Sequence, residues 1–119
     1  MTTKLLGEQG ERLAEEHLKA QGYHILERNF RNKLGEIDLI ARHGDCICFV
    51  EVKTRVNSDA PQEAVGWHKQ RKLTRLAQAY LKEKFGTVDV HSRFDVVAVH
   101  KTQAGVRISL IADAFSASG

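Results

Sequence analysis

An α/β domain with a central mixed sheet flanked by helices is the architecture this sequence predicts, and three observations carry it. Its periodic segments run helix, three strands, helix, two strands. Segments 37–42 and 46–53 are apolar on both faces except at one end, as in a sheet covered on both sides. Leu73, Leu76, Ala77, Tyr80 and Leu81 recur at i, i+3, i+4, i+7 and i+8, the spacing of a helix packed on one face. A length of 119 residues accommodates one such domain, residues 1–119.

The elements follow in order. Leu6, Gly10, Leu13, Ala14, His17 and Leu18 fall on one helical stripe, with Glu8, Glu11 and Glu15 beside it. Gly22 is placed to cap this helix, and residues 23–30 alternate as a strand. His43-Gly44-Asp45 separates the β-rich runs 37–42 and 46–53 and signals a hairpin, with Gly44 suited to the first position of a type II′ turn. Residues 54–66 carry Asn57, Ser58, Asp59, Pro61 and Gly66, which predicts a loop with a short helical turn. Gly86 caps the second helix, and 93–100 and 106–111 are strands around a turn at 101–105.

At 42% hydrophobic and 28% charged residues, with 9 Gly and 1 Pro, the chain is neither disordered nor collagen-like. Its longest apolar run, 46–50, falls far short of the ~20 residues of a membrane span. The first residues show no secretory pattern, so the expected compartment is the cytoplasm, with no membrane partner. Cys46 and Cys48 share one side of a strand and are poorly placed for a disulfide, so buried thiols are expected. Net charge is +3, a weak hint of a polyanionic partner. Its distribution says more: residues 1–52 carry −2, residues 53–84 carry +5, and the remainder is neutral.

A two-residue turn makes opposed hairpin positions add to 89 in residue number. Asp38 then faces Glu51 and Glu36 faces Lys53, all on one side of the hairpin. Ile40, Ile47 and Phe49 continue that side as an apolar floor. A salt-bridge cluster explains one isolated pair. Three carboxylates and one lysine pointing inward from apolar strands call instead for a cation between the acids. With oxygen ligands that cation is Mg²⁺ or Mn²⁺, which activates water and stabilises charge developing on a phosphate.

Gly35-Glu-Ile-Asp38, followed after twelve residues by Glu51-Val-Lys53, resembles the core of the PD-(D/E)xK nuclease superfamily. With Gly10-Glu11, Gly22-Tyr23, the run 35–41, Phe49-Val-Glu-Val-Lys-Thr-Arg55 and Arg93-Phe-Asp-Val-Val97, the chain looks like the YraN family of small bacterial proteins, related to archaeal Holliday-junction resolvases. The resemblance implies a restriction-endonuclease-like three-layer fold over the whole chain. It implies catalytic roles for Asp38, Glu51 and Lys53, with Asp38, Glu51 and Glu11 as metal ligands, and a two-fold homodimer. Without it, Glu11 reads as part of a solvated helix face, as Glu8 and Glu15 still do. Ile37 stands where the superfamily has proline and is expected to point away from the site. Glu36 is an additional site acid, either a ligand or a holder for Lys53.

Arg55 shares a side with Lys53, and His68, Lys69, Arg71, Lys72 and Arg75 cluster opposite the apolar stripe of the second helix. Arg55, Lys69, Arg71, Lys72 and Arg75 are therefore the expected phosphate contacts, with Arg28, Arg31 and Lys33 as a second set. Trp67 reads as a packing anchor rather than a base-stacking platform. Asp95 and Asp113 read as structural. The expected function is metal-dependent hydrolysis of phosphodiester bonds in structured or branched DNA. The alternative is a nucleic-acid-binding or adaptor protein that does not cut; a third, weaker reading has RNA as the substrate, since phosphate contacts carry no sugar preference.

Overall fold

A computed structural model describes residues 2–57 and 65–117. Helix α1 (Thr3–Ala20) is followed by β1 (His24–Asn32), β2 (Gly35–His43) and β3 (Cys46–Val56). Helix α2 (Trp67–Phe85) leads to β4 (Ser92–Thr102) and β5 (Gly105–Phe115). The expected order is observed. Strand ends extend past the expected ones: residues 54–56 continue β3 rather than entering a loop, because they pair with Val99, His100 and Lys101 of β4. Residues 58–64 of the loop and short helical turn expected at 54–66 lie outside the described residues.

The five strands lie in sequence order, β1-β2-β3-β4-β5. Neighbours are antiparallel except β3 and β4, which are parallel because α2 carries the chain back between them. Each face of this mixed sheet has its own core. On one face Ala14 and Leu18 of α1 pack on Leu39, Ala41, Cys48, Val50, Val97 and Val99. On the other, Leu73, Leu76, Ala77 and Tyr80 of α2 pack on Ile40, Ile47, Phe49 and Val96. The arrangement is the three-layer one of the restriction-endonuclease-like fold. Among the described residues no helix is long and apolar enough to cross a membrane.

Local chemistry explains the boundaries. Thr2 Oγ1 accepts the Leu5 N–H at 3.1 Å and caps α1. At the other end Tyr23 N donates to Leu18 O and Gly22 N to Lys19 O, the paired bonds of a Schellman turn. That turn requires Gly22 at φ 91°. In the β2–β3 hairpin His43 pairs with Cys46 across Gly44-Asp45, and only Gly44 of the two has positive φ, at 63°. This is the type II′ requirement. Cys46 and Cys48 are free, buried thiols on the α1 face, and burial raises Cys48 to about 12.

The expected register holds from His43–Cys46 to Leu39–Val50, and there the ladder stops. Leu39 belongs to the α1 core, yet Ile37, two residues away, belongs to the α2 core. Residues two apart on a regular strand share a side, so the pleat is interrupted at Asp38. Opposite it on β1, Asn29 has φ 53°, and its neighbours part in the same way. Arg28 reaches Glu15 of α1, while Phe30 packs edge-on against Tyr80 of α2 at 5.4 Å. Contrary to expectation, Ile37 therefore lies on the face that carries Glu51. It is buried beneath α2.

Candidate active site

Asp38 stands where β2 and β3 separate. Its Oδ2 accepts the Val52 N–H at 2.7 Å, so the carboxylate bridges the opening between the strands. Alternation along β3 puts Glu51 on the α2 side with Ile47 and Phe49, and Lys53 follows two residues on. The Glu51 carboxylate lies within hydrogen-bonding reach of Asp38, and the residue is 6% exposed. The two acids expected to meet are brought together.

Their proximity has an electrostatic consequence. Burial raises the Asp38 carboxyl, the hydrogen bond and charge of Glu51 raise it further, and Glu11 adds a smaller push; the result is about 9 against an ordinary 3.8. The Val52 N–H opposes the rise without cancelling it. Near neutral pH the pair therefore shares a proton.

Lys69, in the first turn of α2, places its Nζ 2.5 Å from Glu51 Oε2. That oxygen is buried and accepts no well-directed hydrogen bond, so Lys69 serves it as a point charge. Burial works against the Lys69 ammonium, but the close Glu51 carboxylate raises its pKa overall, and the charge of Asp38 adds to this. Lys69, expected among the phosphate contacts, also reaches into the acid site. Sequence periodicity placed it on the exposed side of α2, but its contact depends on where the helix lands across the sheet.

The remaining expected residues divide. Glu36 does not face Lys53: beyond Leu39 the β2–β3 ladder has ended, and Glu36 pairs with Arg31 of β1, Oε1 to Nη2 at 3.2 Å. Glu11 Oε1 accepts from Asn29 Nδ2 at 3.0 Å and reaches Asp38 through its field. Glu15 is not simply solvated. Arg28 grips both its oxygens, at 2.6 and 2.7 Å, Lys19 adds a contact at 2.9 Å, and the carboxyl falls to about 2. Arg28 and Arg31 thus already have acidic partners.

On α2, Trp67 is 58% exposed and not a packing anchor. The Arg71 guanidinium lies 4.9 Å over its ring. Lys72 packs its methylenes near Gly35, and Arg75 faces outward. Arg55 continues the side of β3 that carries Glu51 and Lys53. Beside Glu11 an open cleft of about 780 Å³ is lined by Glu8, Arg12, Arg28 and Asn29, among others.

Asp95 has a structural setting, as expected. Fully buried, it accepts from Tyr23 Oη at 3.0 Å, Arg93 Nε at 3.0 Å and the Asp113 N–H at 2.9 Å. Asp113 enters through its backbone, at φ 53°, where β5 departs from regular pairing.

Residues 10–99 match the model of the uncharacterised protein family UPF0102. The chain belongs to this family. A UPF0102 protein of Syntrophus aciditrophicus (strain SB) is 49% identical over 112 residues, covering 92% of this chain and 87% of that protein. A UPF0102 protein of Geotalea uraniireducens (strain Rf4) is 49% identical over 115 residues, covering 94% and 90%. The YraN resemblance read from the motifs thus holds over most of the chain. The UPF0102 match contains Glu11, Asp38, Glu51, Lys53 and Lys69. Among solved structures, Pyrococcus furiosus SfsA in complex with Ca²⁺ is 17% identical at a TM-score of 0.41, over 94% of this chain and 63% of that one.

Proposed function

We propose that this protein is a metal-dependent endonuclease that hydrolyses phosphodiester bonds in structured or branched DNA. The observation that carries the reading is the buried Asp38–Glu51 pair at the fork of β2 and β3, with Lys53 next along the same strand. Two carboxylates forced to share a proton form a hard, anionic donor set that suits Mg²⁺ or Mn²⁺. Among the described residues no three His, Cys, Asp or Glu side chains form a ready ligand group. A two-carboxylate site fits this, since Mg²⁺ is commonly held by one or two carboxylates with water and substrate phosphate. Asp38 and Glu51 would hold the cation, with Glu11 contributing negative potential, either directly as a further ligand or through its present field.

When bound, the cation supplies Lewis acidity toward a phosphate oxygen and a more acidic water. Lys53 orients the attacking water or offsets charge growing on the phosphate. Water adds its oxygen to phosphorus as the phosphorus–oxygen bond to one sugar breaks, leaving one phosphomonoester end and one hydroxyl end. Asp38 is held in place by the Val52 N–H throughout, so its oxygens need little reorganisation.

The start of α2 supports a polyanionic substrate. His68, Lys69, Arg71 and Lys72 crowd the N-terminal end, where the helix dipole already favours anions, and its first turn carries no acid. Arg55, Lys69, Arg71, Lys72 and Arg75 are the proposed phosphate contacts, and two copies of the chain would place two sites on a branched substrate. The test is a panel of single-stranded, duplex, flap and four-way DNA plus RNA, incubated with Mn²⁺. Selective cutting of branched DNA supports the reading. Metal-indifferent binding without cutting supports a non-catalytic binder instead.

A further inference from the structure

A lysine in the first turn of a helix faces the positive end of the helix dipole and needs a compensating anion. Lys69 finds it in Glu51, whose carboxylate is nearly buried and itself requires a counter-charge. We propose that Lys69 is a built-in competitor of the divalent cation: its ammonium occupies Glu51 until a phosphate of the substrate draws it away, so that cation and polyanion bind cooperatively. This rests on reading Asp38 and Glu51 as the cation site.

Three features argue for competition. An ammonium 2.5 Å from Glu51 Oε2 already occupies one of the two oxygens this carboxylate could offer a cation, and two positive charges at one oxygen repel strongly in a partly buried site. Lys69 can leave. Its side chain is 52% exposed and stands on a flexible four-carbon stem, so it can turn toward solvent without disturbing the core of α2. Its destination is near at hand, because a phosphate backbone lying over Arg71, Lys72 and Arg75 would pass the same end of the helix. A phosphate that takes the ammonium frees Glu51, and by linkage a cation on Glu51 frees Lys69 for the phosphate. The device keeps the site poorly charged with metal until a substrate is present.

The experiment titrates Mn²⁺ by calorimetry into the full chain and into Lys69→Met and Lys69→Arg, alone and with a phosphorothioate DNA duplex. Without DNA, Lys69→Met binds Mn²⁺ about tenfold tighter than wild type, while Lys69→Arg, which keeps the charge, stays within about threefold. Substrate phosphate adds a ligand in both proteins, but only wild type also loses its competing ammonium, so the duplex raises the wild-type affinity about tenfold more than that of Lys69→Met. Should Lys69→Met not fold, Lys69→Gln, which also removes the charge, replaces it in both arms. Equal Mn²⁺ affinity in wild type and the neutral variant overturns the competitor role while leaving the cation site intact. Absence of Mn²⁺ binding in both removes the cation site and the competition together.

Discussion

Asp38 Oδ2 accepts the Val52 N–H at 2.7 Å, just past the last paired residues of the hairpin, Leu39 and Val50. A side-chain oxygen thereby occupies the place of a ladder carbonyl. The strands can then separate without leaving that amide unpaired.

The proton that the buried Asp38 carboxyl shares with Glu51 makes the protein sensitive to pH. In the folded state this carboxyl titrates near 9, and unfolded near its ordinary 3.8, so the folded form binds more protons between those values. The Asp38 contribution to stability is therefore fully present below about pH 4 and is lost as pH rises toward 9. Cation binding must expel the proton. Mn²⁺ affinity should rise with pH, by at most about tenfold per unit, with proton release visible as a buffer-dependent heat.

Asp38→Asn tests the same residue without changing its size. The amide cannot carry the charge a cation requires but needs no proton to be stable when buried. The variant should match or exceed wild-type thermal stability at about pH 8 and lose Mn²⁺ binding at least tenfold, read by unfolding curves and calorimetry.

The Asp95 network is a separate, structural liability. Asp95→Ala leaves the Tyr23 hydroxyl, Arg93 and the Asp113 amide without their shared acceptor and should cost about 3 kcal/mol in urea unfolding. Tyr23→Phe removes one hydroxyl and should cost about 1 kcal/mol.

The packing of α1 on β3 has a sharp steric test. A Cβ at Gly10 would overlap the Thr54 side chain. Gly10→Ala should lower stability by about 1–3 kcal/mol through overpacking, and adding Thr54→Ala should recover much of the loss.

The pairing of Asp38 with Glu51 was legible because a two-residue turn sets the register of a hairpin by arithmetic alone. The same arithmetic misplaced Glu36, since it presumed a ladder continuing where the strands part. No local pattern announces that fork: it depends on Asn29 adopting a left-handed backbone on the adjacent strand and on Asp38 capturing the Val52 amide. Lys69 was visible as one of several basic residues on α2, but its partner lies on a strand 18 positions earlier, across a connection whose geometry periodicity does not describe. Trp67 shows the same limit, because an aromatic residue at a helix start has no sequence signature separating a buried anchor from an exposed face.

The central claim is that Asp38, Glu51 and Lys53 form a cation-dependent phosphodiester-cleaving centre. The most direct measurement compares wild type with Glu51→Ala and Lys53→Ala, purified identically, on four-way DNA with Mn²⁺ and with chelator. The account predicts wild-type cleavage that chelator abolishes, and a loss of at least about 10²-fold in either variant. Cleavage that persists in both folded variants, or wild-type protein that cuts nothing in the whole panel, would contradict it.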